Sequence, residues 1–262
     1  MDGPTATPDG PAAAAAETVL AEPSVPAASL PASAPARQRW RLVLARSADA
    51  TDLGGRELAD AWESALEASG LPAFIPVGRG RARVAFAAPI PAGLVAEAEL
   101  ADILLTSFEP AWRVRAALEV VLPSGWRLVD LYDVWLGAPA LAGQIVAADY
   151  RITVSGADVP DLARAAATLL AANHLSRERQ KGNQTVTYDL RPLIADLEVV
   201  GPGPAAVLRT RTRFHPELGT GRPSEVVAAL AEAAKVPLAT RSIVRERLVL
   251  AGPPDGSQAE DD

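Results

Sequence analysis

The sequence predicts an α+β fold in which two successive βαββαβ units with antiparallel sheets lie between disordered tails. Three observations predict it. Apolar residues alternate in some segments and recur with helical spacing in others, the order strand–helix–strand–strand–helix–strand occurs twice, and both ends of the chain lack the material for a core.

The first unit, residues 38–140, opens on RWRLVLAR. Trp40, Leu42 and Leu44 share one face of a strand and Arg39 and Arg41 the other. GRELADAWESALEASG then places Leu58, Ala61, Trp62, Ala65 and Leu66 on one helical stripe, with Gly70 at a C-cap position. Short strands are expected at 72–77 and 81–88, and an apolar strand near 99–106. AWRVRAALEVVL reads as a second helix and WRLVDLYDVWL as the closing strand.

The second unit, residues 141–250, repeats the order. QIVAADYRITVS is a strand and DLARAAATLLAAN a helix, and HLSRERQKG with NQTVTYDL makes a hairpin around Lys181-Gly182-Asn183. AAVLRTRTRF is a strand, PSEVVAALAEAA a helix and SIVRERLVL the last strand. This repeated order is the tandem ferredoxin-like plan, with two helices over one face of each antiparallel sheet. One continuous α+β domain whose two sheets merge is the alternative.

The tails, residues 1–37 and 251–262, are rich in Ala, Pro and acids, and such stretches bury too little apolar surface to offset their ordering entropy. The formal net charge of −7 resides there. Residues 1–36 carry Asp2, Asp9, Glu17 and Glu22 and no base, and residues 251–262 carry Asp255, Glu260, Asp261 and Asp262 and no base. Residues 37–250 are close to neutral.

The chain has no cysteine, which excludes disulfides, iron–sulfur clusters and cysteine nucleophiles, and His174 and His215 are its only histidines. No apolar run reaches the roughly 20 residues that span a bilayer, and no secretory signal opens the chain, so a cytoplasmic location is expected. There is no G-x-G-x-x-G ahead of a helix, P-loop, H-E-x-x-H or nucleophile elbow, and no catalytic residue, metal or cofactor is assigned. GRGRARV (78–84) leads into a strand, and GPGP (201–204) is a turn. HPELGTGRP (215–223) reads as a turn whose helix is N-capped by Ser224, rather than as a hydrolytic site.

Basic residues alternate along several strands: Arg39 and Arg41; Arg79, Arg81 and Arg83; Arg177, Arg179 and Lys181; Arg209, Arg211 and Arg213; Arg245 and Arg247. Alternation puts each set opposite the apolar face, where it would form an ordinary solvated surface, attract RNA or another polyanion, or meet a protein partner. Aromatic residues for base stacking are sparse there, since Phe86 and Phe214 share the apolar phase. TYDLRPLIADL (187–197) stands apart. At Pro192 the strand must end or run along a sheet edge, and Leu193, Ile194 and Leu197 follow with helical spacing. Asp189 and Arg191 have the same strand parity and either bridge locally or reach Arg222 and Glu225 of GRPSE. A structural corner is the preferred reading. The competing one is an enzyme acting on an anionic substrate through Asp189, Arg191 and Arg222, with the two arginines as an anion clamp.

ESALEASGLP, VAFAAPIPAGLVAEAE, TYDLRPLI, GTGRPSEVVAAL and TRSIVRERLVL together resemble the DUF2344 family of radical SAM-associated proteins, over residues 38–250. The resemblance implies an accessory role beside a radical SAM protein. Without cysteine the chain cannot hold that chemistry's cluster, so it would be the partner and not the catalyst. Relatives carry Ser-His-Leu-Asp where this chain has Gly54, Gly55, Arg56 and Glu57, and a Gly-Phe-Asn-Pro-His-Pro-like loop where it has VGRGRARV. A retained site is therefore expected in the second half.

Overall fold

A computed structural model describes residues 34–50, 52–182, 184–201 and 205–252, so most of both predicted tails lies outside the described residues. In chain order the elements are β1 (Gln38–Arg46), α1 (Gly55–Ala68), β2 (Ala85–Phe86), β3 (Val95–Leu105), α2 (Ala111–Glu119) and β4 (Trp126–Val134). The second half runs β5 (Ile145–Ser155), α3 (Val159–Ala171), β6 (Ser176–Lys181), β7 (Gln184–Asp189), β8 (Ile194–Val200), β9 (Ala205–His215), β10 (Gly219–Thr220), α4 (Pro223–Ala234) and β11 (Ala239–Leu250). The fold is α+β with a mostly antiparallel sheet.

Within the first half the strands lie in the order β4-β1-β3-β2, and within the second β11-β5-β9-β8, with β10 also on β9. A single parallel pairing joins them, in which Val244 and Arg245 of β11 face Val95 and Ala96 of β3. The strands thus form one continuous sheet, while β6 and β7 make a separate two-stranded ladder.

Helix α1 follows the predicted stripe. Leu58, Trp62, Ala65 and Leu66 are buried, and Gly70, just past the helix, takes φ +65°, a conformation open to glycine at little cost. Trp62 meets Phe86 and Trp126 edge-on, with ring centroids 5.6 and 5.2 Å apart. Such contacts add to burial because each ring edge meets a neighbour's electron-rich face. In the second half α3 buries Leu162, Ala165, Ala166 and Leu169, and α4 buries Val226, Val227, Ala229 and Leu230. Among the described residues no helix is long and apolar enough to cross a membrane.

Three local expectations are corrected. The strand expected at 72–77 is reduced to one bridge, Ala73 to Leu105, because Pro72 and Pro76 cannot donate to a ladder. The strand at 81–88 shortens to Ala85–Phe86. Leu193, Ile194 and Leu197 do not form a helix; after one 3-10 turn the chain enters β8, where a register shift between Ile194 and Asp196 lets Ile194 and Leu197 both face the core.

Candidate functional site

The TYDLRPLI segment is a corner. Asp189 closes β7, and its Oδ1 accepts the backbone N–H groups of Leu175 (2.8 Å) and Arg191 (3.0 Å), while Oδ2 lies 2.8 Å from His174 Nδ1. Burial works against ionisation, but the Leu175 N–H, His174 and the Arg191 N–H outweigh it and hold the carboxyl below its ordinary pKa. Arg191 turns the other way. Its Nε and Nη2 donate to the Leu170 carbonyl at 3.1 and 2.8 Å, and its Nη1 to that of Ile194 at 2.9 Å. It satisfies a carbonyl that the end of α3 leaves unpaired and ties it to the start of β8. These contacts are what Arg191 makes; Arg222 is not among them.

The predicted rows of arginines are not brought to one open face. Arg39 and Arg41 are 7% and 4% exposed and both bind Asp102. Arg39 also donates to the carbonyls of Ala138 and Pro139, so the loop after β4 covers them. In the second half Arg211 and Arg247 share Asp149, each Nε at 2.7 Å, and the Arg211 hydrogen bond is the main reason the Asp149 pKa is depressed. Arg151 pairs with Glu97 and Glu246, Arg213 donates to the Pro192 carbonyl, and Arg209 lies opposite Glu198 in the β8–β9 register. Such interleaving of cations with carboxylates weakens the pull on a phosphate backbone. Arg245 and Arg247 do not share a face either, because a bulge between them sets Arg245 opposite Tyr150 and Arg247 opposite Asp149.

Three predicted cations do gather near α4. Arg177 binds Glu232 at 2.5 Å, and the Arg179 guanidinium lies 5.0 Å from the Tyr188 ring centroid. The Tyr188 hydroxyl pKa is raised by burial and by Glu225, against the opposing pull of Arg179, Arg222 and Arg177.

Arg222 also borders a cleft of about 760 Å³ that sequence reasoning does not reach. One wall is Pro89 to Leu94 and the other Thr220 to Ser224, with Tyr150, Phe214, Ile243 and Arg245 between them. Two buried arginines hang the first wall in place: Arg46 Nη1 donates to the Pro91 carbonyl at 3.1 Å, and both Nη atoms of Arg245 reach that of Pro89 at 3.3 Å. Arg46 also binds the carbonyls of Ala50 and Leu53. The second wall depends on Gly221, where a Cβ would stand 2.8 Å from the Leu193 carbonyl oxygen and 2.9 Å from Thr212 Cβ. Here Arg222 is the N-cap residue and Pro223 follows it, so Ser224 sits inside the helix rather than at the predicted cap, and no side chain caps α4.

Behind the cleft Glu99 is fully buried and ion-paired with Arg245 Nε. Burial raises its pKa more than Arg245 and Arg46 lower it, and its Oε2 has no hydrogen-bond partner. Tyr150, 4% exposed, has its hydroxyl pKa raised by burial against the pull of Arg245. The one sequence signal for this centre is Glu99 itself, a charge in the apolar strand that ends ADILL.

The model of a family described as "Uncharacterized protein conserved in bacteria (DUF2344)" matches residues 39–223. No curated protein matches the chain. Among solved structures, a chain of "Crystal Structure of a Cbf5-Nop10-Gar1 Complex" is 10% identical with a TM-score of 0.45, covering 80% of this chain and 48% of that one. This chain therefore spans about half the length of that relative. "Crystal Structure of an Unknown Protein from Galdieria sulphuraria" is 17% identical with a TM-score of 0.21, covering 78% of this chain and 98% of that one. Likeness at these scores carries no argument about function.

Proposed function

This chain belongs to the DUF2344 family, and we propose on that premise that it is a non-catalytic accessory protein that holds an anionic ligand in its cleft for a radical SAM enzyme. The observation that carries the reading is the make-up of the cleft. Its walls come from the APIPAGL and GTGRPS stretches, two of the segments on which the family resemblance rests, and its charged lining residues are the cations Arg222 and Arg245. A concave, largely apolar site with a few convergent polar groups is the usual form of a ligand site. The radical chemistry is assigned to the partner because this chain has no cysteine for a cluster.

Each half reads as a ferredoxin-like unit, supported by the strand orders β4-β1-β3-β2 and β11-β5-β9-β8, and the cleft lies where the two units meet. RNA remains a ligand of the right charge, with the cleft rather than the sheet faces as its entry point. An enzyme built on Asp189, Arg191 and Arg222 has less support, since Asp189 and Arg191 are engaged in holding backbone. The test is to co-express the chain with a radical SAM protein encoded beside it and measure co-elution and product formation with and without the Arg222→Ala change. Co-elution with product formation that falls in the variant is expected. Failure to co-elute, or turnover of an anionic substrate by the isolated chain, would refute the accessory role.

A further inference from the structure

The buried wall of the cleft holds more positive charge than its carboxylates balance. Arg46 and Arg245 are 1% and 3% exposed, and the buried carboxylate that acts on both is Glu99. Glu99 is hydrogen-bonded to Arg245, whereas Arg46 donates to backbone carbonyls, lies 5.6 Å from the Trp126 ring centroid, and has besides Glu99 the charge of Asp52, which is exposed. Two cations against one carboxylate leave an excess of one positive charge in a desolvated place, a situation that an incoming anion relieves.

Arg245 also has a donor to spare. A guanidinium carries five N–H groups. The Arg245 Nε–H is taken by Glu99, and each Nη reaches the Pro89 carbonyl at 3.3 Å, a long contact. Of the two N–H groups that remain, one is hydrogen-bonded to the Tyr150 hydroxyl on the cleft surface and one is left for a ligand. Tyr150 and Arg245 stand in register on adjacent strands, which fixes their spacing with backbone rather than with flexible side chains. Leu94, Phe214 and Ile243 supply apolar surface next to them.

We infer that Arg245 and the Tyr150 hydroxyl form a subsite for a carboxylate or phosphate oxygen, so that the cleft takes a small organic anion with its charged group inward and its apolar body against Leu94, Phe214 and Ile243. This rests on the cleft being the ligand site proposed above, and it adds which end of the ligand enters first. Arg222 at the rim then meets whatever polar group projects outward.

Isothermal titration of the full chain with benzoate, phenyl phosphate and neutral benzamide tests the subsite and separates the two anion classes. At least one of the two anions is expected to bind at millimolar concentration or below, with benzamide at least about tenfold weaker. Tyr150→Phe, which removes one oxygen and keeps the ring, is expected to weaken the anion about tenfold in a chain that stays folded by circular dichroism at the titration temperature, the usual effect of losing a hydrogen bond to a charged group. If an anion binds but Tyr150→Phe leaves its affinity alone and Arg222→Gln abolishes it, the ligand sits at the rim; the cleft reading survives and the inward subsite does not. Equal binding of benzamide and benzoate overturns the subsite as well. No binding by any of the three probes overturns both.

Discussion

Replacing Asp189 by alanine separates a structural corner from a catalytic pair. The change deletes acceptors for the Leu175 and Arg191 N–H groups and for His174. Hydrogen bonds to a charged group contribute about 1.5–3 kcal/mol each when buried. The His174 side chain is 85% exposed and that of Asp189 30% exposed, so the imidazole contact adds little and the backbone contacts must be discounted for solvent. A net loss of about 2–3 kcal/mol remains, equivalent to a fall of about 4–12 °C in melting temperature for a domain of this size. Differential scanning calorimetry from pH 7 downward is the assay. Because the folded-state pKa of Asp189 is depressed, its stabilisation is complete above the unfolded-state value and is lost as pH falls through the folded-state value. The gap between wild type and Asp189→Ala should therefore close in acid, and Asp189→Asn, which keeps one acceptor oxygen, should lose less. An alanine variant melting within about 1 °C of wild type at pH 7 would refute the corner, and so would a gap that stays constant into strong acid.

Asp102→Ala leaves Arg39 and Arg41 buried without a counter-charge, and removing one partner of a buried ionic cluster typically costs about 3–5 kcal/mol. A large downward shift of the urea midpoint is expected, and a shift equivalent to less than 1 kcal/mol would mean that water reaches these side chains. Gly221→Ala presses a methyl group against the Leu193 carbonyl oxygen and Thr212 at 2.8 and 2.9 Å, and overpacking of this kind costs about 1–3 kcal/mol. Thermal denaturation reads it, and an unchanged midpoint would show that the second cleft wall yields easily.

Period-based reading of the chain succeeds where one rule governs a whole segment. The strand face Trp40, Leu42 and Leu44 and the helix stripe Leu58, Trp62 and Leu66 are buried as their spacing requires. It fails where a bulge resets the phase. One shift, in β8, makes Ile194 and Leu197 look helical, and another, in β11, makes Arg245 and Arg247 look like neighbours on one face although they point to opposite sides. The rows of arginines were legible as rows, but their partners were not, because Asp102 and Asp149 come from other strands and only the register brings them together. Of the predicted site residues, Arg222 borders the cleft, whereas Asp189 and Arg191 hold the corner. Tyr150, Glu99 and Arg245 lie far apart in the chain, and no local pattern announces that they converge.

The parallel joint between β11 and β3 also sets an order on the making of this protein. β11 follows every other element of the fold, yet it pairs with β5 along almost its full length and with β3 at Val244 and Arg245. While a ribosome is still producing the preceding residues, one edge of β5 lacks its neighbour and the cleft lacks Arg245. The sheet becomes continuous only when β11 emerges. Until then two unpaired strand edges face the same gap, which is when a nascent chain is most exposed to pairing with the wrong partner.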